Sequence, residues 1–226
     1  GGRGLRRNAP NTGFAPSIIT DLPKQPLESQ YMSFDDTRLN IPALKVDTSI
    51  VGVPLSSNWD VTWLGEMAGW LEGTAYMGGI GNSVIVGHNY LSTGLPGPFL
   101  NISRLRYGDF IYIDHGNQRQ TYKVTDVKEV RPDDSSIMQH QTISTLTLVT
   151  CKNYDDRTKK YLRRIMVRAT LVEVTEIDLQ KPDAMPAPQL LLERIRNILP
   201  DWSQLSALGG WPPLGRLADP PWLLPS

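Results

Sequence analysis

A mainly β fold built around one core is what the sequence predicts, on three observations. Short runs of β-branched and apolar residues recur, several alternating with a period of two and bounded by Gly, Pro, Asn or Asp. Phe110 to Ile113 and Gln120 to Val124 flank the turn formers His115-Gly116-Asn117, as a hairpin requires. At 226 residues with 40% hydrophobic content, the chain can bury one substantial core, and its Gly- and Pro-rich ends read as tails. Charge is balanced, 23 basic against 23 acidic residues, which argues against an electrostatic nucleic-acid partner. One cysteine excludes an intrachain disulfide framework. No apolar run approaches the length that crosses a bilayer, so the reading is of a fragment or processed form whose membrane anchor would lie outside it.

Residues 1 to 38, with scattered Gly, Pro and charge, read as a flexible leader. Leu39 to Val46 and Ser49 to Val53 read as two strands, the first interrupted by Pro42 and therefore suited to an edge. Trp63, Met67, Trp70 and Leu71 fall at helical spacing and predict a short amphipathic helix, against the grain of Gly65 and Gly69. Ser83 to Gly87 is an apolar strand ending at His88, and Asn89 to Pro98 is a loop in which Tyr90 and Leu91 are placed to line a groove. Val127 to Val130 extends the second hairpin strand. Arg131 to Ser136 opens a long connection, where the pair Asp133 and Asp134 lacks a calcium ligand set and reads as a solvated loop. Thr145 to Cys151 is a buried strand with the thiol at its C-terminal end, followed by a polar loop and a second strand from Arg163 to Ala169. Beyond Val174, Pro182, Pro186 and Pro188 mark a linker. Leu191, Ile195, Ile198 and Leu199 then share a helical face, and Trp202, Trp211 and Trp222 follow among prolines, as a docking helix or as a membrane-interface or partner contact.

The chemistry centres on Cys151. A lone cysteine on an apolar strand, read by itself, is a small buried hydrophobe; beside a histidine and an arginine it becomes a nucleophile. His88, at a strand end, is the candidate base, whereas His115 in a turn and His140 in a polar segment read as surface residues. No Cys-x-x-Cys or His-x-x-x-His spacing suggests zinc.

Thr147-Leu148-Val149-Thr150-Cys151, followed by Arg164-Ile165-Met166-Val167, resembles the cysteine and arginine strands of the sortases, cysteine transpeptidases of bacterial cell surfaces. Gly81-Asn82-Ser83-Val84-Ile85-Val86-Gly87-His88 resembles that family's histidine strand, and Phe99, Ile102, Leu105, Gly108 and Asp109 its next connection. The similarity covers residues 38 to 175. It implies a closed β-barrel with short helices over residues 39 to 175, after the leader and before a linker and tail at 176 to 226. It also implies a thiol-protease-like transpeptidase that cleaves an LPxTG-type sorting signal through a thioacyl intermediate and passes it to an amine of the cell wall or of another protein. Cys151 would be the nucleophile, His88 the acid and base, and Arg164 the carbonyl or oxyanion donor, with Tyr90, Leu91 and Thr150 along the substrate groove and no cofactor. The resemblance prefers Arg164 to Arg163 because it directly precedes Ile165-Met166-Val167, as the family's arginine does, and successive strand residues face opposite sides, so only one of the two can point inward. The implied location is extracytoplasmic, at the cell surface. The lack of an Asp-Pro-aromatic lid upstream of the core favours a class E or housekeeping role over pilin polymerisation. The alternative is a non-catalytic β-barrel binding module with an inert buried Cys151. Ala9-Pro10-Asn11-Thr12-Gly13 resembles a sorting signal with Ala for Leu and without the hydrophobic stretch and basic end. Composition accounts for it as chance, and the sharper reading is that this segment occludes the site.

Overall fold

The computed structural model describes residues 8–177. Eight strands close into a barrel: β1 (Met32–Ile41), β2 (Val46–Val53), β3 (Ala68–Leu71), β4 (Gly81–Val86), β5 (Phe110–His115), β6 (Gln118–Val130), β7 (Ser144–Asp155) and β8 (Lys160–Glu176). Their order around the barrel is β1-β2-β3-β4-β7-β8-β6-β5, and β5 closes back onto β1. Closure leaves no free edge for another chain to pair with. The pairs β2/β3 and β4/β7 are parallel and the others antiparallel.

The hairpin at Gly116-Asn117 forms as predicted, and β6 runs on through Val130. Pro42 ends β1 rather than interrupting it: Pro42–Leu44 makes one turn of 3-10 helix, Lys45 takes a left-handed conformation, and Val46 begins β2. β1 itself starts at Met32, inside the stretch assigned to the leader, with a register irregularity between Ser33 and Arg38. The helix expected over 63 to 71 is absent. Trp63 and Met67 lie in turns, and Ala68–Leu71 is a strand parallel to β2. All four of its residues are buried, so no alternation betrays it, and a Cβ at Gly69 would come within 2.6 Å of the Val53 side chain. The linker, helix and tryptophan-rich tail expected beyond 177 lie outside the described residues.

Two apolar clusters flank the barrel wall. Leu39, Ile41, Ile85, Ile111, Leu146, Leu148 and Val167 fill the interior with Phe99 and Ile102. Val84, Val86, Val149 and Met166 belong to a second cluster on the outer face, with Val53, Trp59, Val61 and Leu64. The period-2 rule thus divides each strand: on β7 the residues 146 and 148 face in and 149 faces out, and on β8 the residues 165 and 167 face in and 166 faces out.

The end of β4 is held from below. Asn82 donates to the carbonyls of Ile137 (2.8 Å) and Gln139 (3.1 Å) and accepts from the Thr147 hydroxyl at 2.6 Å. Past Val86, a Cβ on Gly87 would sit 2.6 Å from the ring of fully buried Phe99. Gly87→Ala must therefore displace a core aromatic. It is expected to cost about 1–3 kcal/mol of stability, read as a lowered urea midpoint at unchanged slope.

Candidate active site

Strand parity fixes which side chains meet. Cys151 has the same parity as outward-facing Val149, Arg164 that of Met166, and His88 that of Val84 and Val86. Cys151 and Arg164 are direct partners in the β7/β8 ladder. β4 and β7 run parallel with Val86 opposite Val149, and the Gly87 N–H donates to the Val149 carbonyl at 3.3 Å. Continuing that register two places sets His88 beside Cys151, across an interstrand spacing of about 4.8 Å. The outer face at the end of β4 therefore gathers thiol, imidazole and guanidinium.

Cys151 does not end its strand. β7 continues to Asp155, and the polar loop expected after the thiol is the tip of the hairpin beyond it. What ends near Cys151 is β4, so the site opens where the sheet loses a strand. The Thr150 hydroxyl donates to the Gly87 carbonyl at 2.8 Å, bracing the residue before His88. Behind the imidazole, the Phe99 N–H donates to the His88 carbonyl at 3.0 Å and the Gly97 N–H to the Asn89 carbonyl at 2.8 Å. His88 is thus positioned by its main chain.

All three groups are buried: Cys151 and His88 are 1% exposed and Arg164 5%. Arg163, of opposite parity, is exposed and lies 3.7 Å from Glu129. Neither ring nitrogen of His88 has a hydrogen-bond partner among the described residues, nor does Arg164 Nε. The Arg164 Nη1 donates to the Arg163 carbonyl at 3.1 Å. Burial pushes the Cys151 thiol up, against the Arg164 charge and hydrogen bonds from Thr12. Burial pushes His88 down, against the nearby carbonyls of Thr12 and Val61. Both shifts favour the neutral pair at neutral pH.

His115 and His140 are exposed, the former bonded to the Thr37 hydroxyl at 2.6 Å. Leu91 is buried, while Tyr90 is half-buried and offers its carbonyl to the Phe14 N–H at 3.1 Å. Asp133 pairs with Arg131, and Asp134 accepts from the Ser136 N–H.

Sequence reasoning missed Asn89 and Tyr161, which hold a peptide segment against the site. That segment is the chain's own residues 9 to 14. The Thr12 N–H donates to Cys151 Sγ at 3.0 Å, the Cys151 N–H to Thr12 Oγ1 at 2.9 Å, and the thiol to Asn11 Oδ1 at 3.1 Å. The Asn89 N–H donates to the Thr12 carbonyl at 3.2 Å, and the Tyr161 hydroxyl to the Phe14 carbonyl at 2.7 Å. The Phe14 ring lies 5.3 Å from that of His88. A cleft of about 440 Å³ remains between this segment, His88 and the Ser57 to Thr62 loop. Position beside His88 is the signal that could have found Asn89; nothing in the sequence singles out Tyr161.

A model of the sortase domain matches residues 39–172, more than half of the chain. Sortase A of Bacillus anthracis is 30% identical over 125 residues, 55% of this chain and 56% of that protein. Sortase A of Staphylococcus aureus is 30% identical over 95 residues, 41% and 45% of the two chains. The chain spans about half the length of the curated relatives it matches. Among solved structures, sortase E1 of Streptomyces coelicolor, with a tripeptide in its active site, superposes with TM-score 0.52 at 25% identity, covering 68% of this chain and 96% of that one. The sortase D5 transpeptidase of Clostridium perfringens gives 0.50 at 27% identity, covering 61% and 78%. Since the matched stretch carries every strand that brings His88, Cys151 and Arg164 together, the chain belongs to the sortase family.

Proposed function

We propose that the chain is a cysteine transpeptidase that cuts a surface-protein sorting signal and joins the new carboxyl end to an amine. The carrying observation is the convergence of Cys151, His88 and Arg164 on one outer face of the barrel, with the cysteine and the arginine opposite each other in one ladder. In the first step the Cys151 thiolate attacks the carbonyl carbon of a Thr–Gly type bond. A C–S bond forms, the C–N bond breaks, and the His88 imidazolium gives its proton to the departing amine. Arg164 carries the charge that develops on the carbonyl oxygen; its unpartnered Nε is the donor available for this. In the second step an amine attacks the thioester carbon, the C–S bond breaks, and His88 takes back a proton. Water in place of the amine gives hydrolysis.

A peptide substrate is supported by the backbone and side-chain groups of Asn89, Tyr90 and Tyr161, which already hydrogen-bond an extended run of chain. Leu91 and Thr150 act behind them, as buried support. The partners in this reading are a sorting-signal peptide and an amine of the cell wall or of another protein. The place of action in this reading is the bacterial surface; among the described residues no helix is long and apolar enough to cross a membrane.

Three outcomes follow. Cys151→Ala abolishes cleavage and ligation of LPxTG-type peptides followed by mass spectrometry. Arg164→Lys, which keeps charge but loses the planar fork, lowers kcat by about a hundredfold. A Cys151→Ala protein as active as wild type would return the chain to a binding module with an inert thiol. The third outcome concerns pH. Because burial raises Cys151 and lowers His88, the neutral pair dominates between their two values, and the thiolate-imidazolium form is a constant minor fraction of it. kcat/KM should therefore stay flat across about pH 6.5 to 8.5, falling in acid as His88 protonates beside a neutral thiol and in alkali as Cys151 ionises beside a neutral imidazole. A maximum confined to a single unit inside that window would contradict the assignment.

A further inference from the structure

We propose that the cleft between the β1–β2 connection and the segment from Asn101 to Arg106 binds a phosphate monoester, at a site separate from the thiol. The cleft measures about 600 Å³, a size that suits a small ligand. Buried Leu105 and half-buried Leu44 give it an apolar floor. Asn101 and Ser103 bring an amide and a hydroxyl, Lys45, Arg104 and Arg106 bring positive charge, and no carboxylate lines it.

Unpaired charge is what marks the cleft. The chain as a whole is balanced, with 23 basic and 23 acidic residues, and many of its surface cations are neutralised in place. Arg38, Arg119, Lys128, Arg131, Lys159 and Arg163 each stand within 4.0 Å of a carboxylate. Lys45, Arg104 and Arg106 are exposed on one rim and have no ion pair among the described residues. Asp109, close by in sequence, is turned to the main chain, where it accepts the Arg106 N–H at 2.8 Å.

Like charges gathered without a counterion repel, and an anion that bridges them removes that cost. A carboxylate brings one charge, whereas a phosphate monoester brings about −1.5 to −2 near pH 7 and three acceptor oxygens. Planar arginine forks match those oxygens, a lysine takes up remaining charge, and the apolar floor receives the carbon side of the ester. Main-chain hydrogen bonds pre-organise the rim: the Lys45 N–H donates to the Pro42 carbonyl at 3.1 Å and the Arg104 N–H to the Asn101 carbonyl at 2.9 Å. β2 runs parallel to β3, and β3 antiparallel to β4. The start of β2 beside Lys45 therefore lies at the same end of the barrel as the end of β4 beside His88. A molecule anchored here by its phosphate is held at the barrel end that carries the thiol.

A soluble ester and a lipid headgroup present the same chemistry. Tyr107, 78% exposed, and Phe110, 44% exposed, follow the rim in sequence and would meet lipid in the second case. Binding is read without turnover, so its outcome is independent of the transpeptidase reading. Glycerol 1-phosphate is titrated against the full chain by phosphorus NMR, and the chain is sedimented with phosphatidylcholine vesicles with and without phosphatidic acid. Wild type should bind the ester or the phosphatidic acid vesicles. Arg104→Gln/Arg106→Gln should weaken that binding at least about tenfold, and Lys45→Gln should weaken it in the same direction. Arg157 and Lys160, exposed at the tip of the β7/β8 hairpin, have no ion pair among the described residues either. Arg157→Gln/Lys160→Gln removes the same charge and should leave binding within about twofold of wild type. Both pairs are exposed, so neither double variant disturbs the core. Binding of the ester assigns a soluble ligand; retention on phosphatidic acid vesicles alone, weakened in Tyr107→Ser, assigns a headgroup. Failure of wild type to bind either probe overturns the proposal. Undiminished binding in Arg104→Gln/Arg106→Gln overturns it as well, and so does equal loss in the two double variants, which would make net charge the cause.

Discussion

The structure depends on β7 pairing with β4 on one side and β8 on the other. A parallel neighbour that stops and an antiparallel neighbour that continues create a place where one strand is exposed on a single flank. Because side-chain direction alternates with a period of two, the register that buries Leu146, Leu148 and Val167 inside the barrel obliges Cys151 and Arg164 to share the outer face. A slip of one residue in β8 would put Arg163 opposite the thiol and Arg164 into the core. The apolar interior thus enforces the register, and the register assembles the polar site. Core packing and chemistry are two faces of the same strands.

Holding a guanidinium there is costly. Arg164 is 5% exposed, and among the described residues its Nη1 donates to its own neighbour's carbonyl. A buried cation without a carboxylate is ordinarily destabilising. In the proposed reaction, negative charge appearing on the sulfur and then on the carbonyl oxygen would offset it. Burial raises the Cys151 thiol and lowers His88, which favours the neutral resting pair, so under that proposal the site would bind the charge of the transition state more strongly than that of the ground state. Hydrogen bonds around the His88 backbone, from Phe99 and Gly97, supply the rigidity without occupying the ring nitrogens.

Where a strand alternated or a turn was sharp, the sequence was a sufficient guide: the β5/β6 hairpin and the β7/β8 pair correspond to the fold, and Arg164, preferred for its place before Ile165-Met166-Val167, is the arginine opposite Cys151 in the ladder. Failures have physical causes. β3 is four residues long and buried on both faces, so it carries no period of two, and the helical spacing from Trp63 to Leu71 is coincidental. Trp63 is held by a hydrogen bond to the Pro23 carbonyl at 2.8 Å, a tertiary contact that no local pattern encodes. The start of β1 was hidden by its irregular register and by Asp36, which takes positive φ inside the strand. At the site, Cys151 and His88 were legible as residue types on apolar strands, although β7 runs on past the thiol to Asp155. Asn89 and Tyr161 were not, because their roles arise from backbone and ring positions relative to a segment far away in sequence.

That segment explains why composition misled. Residues 9 to 14 are short, polar and rich in turn formers, the signature of chain that cannot bury enough surface to order itself. Ordering comes instead from hydrogen bonds to Asn89, Tyr90, Cys151 and Tyr161. A groove that recognises backbone, a small turn-permissive residue and a hydroxyl will accept its own chain if the tether places such a run nearby. The tether need supply only proximity, since an intramolecular ligand enjoys an effective concentration of about the millimolar range. A weakly binding sequence suffices to cover the thiol under those conditions, and a tighter peptide can still displace it.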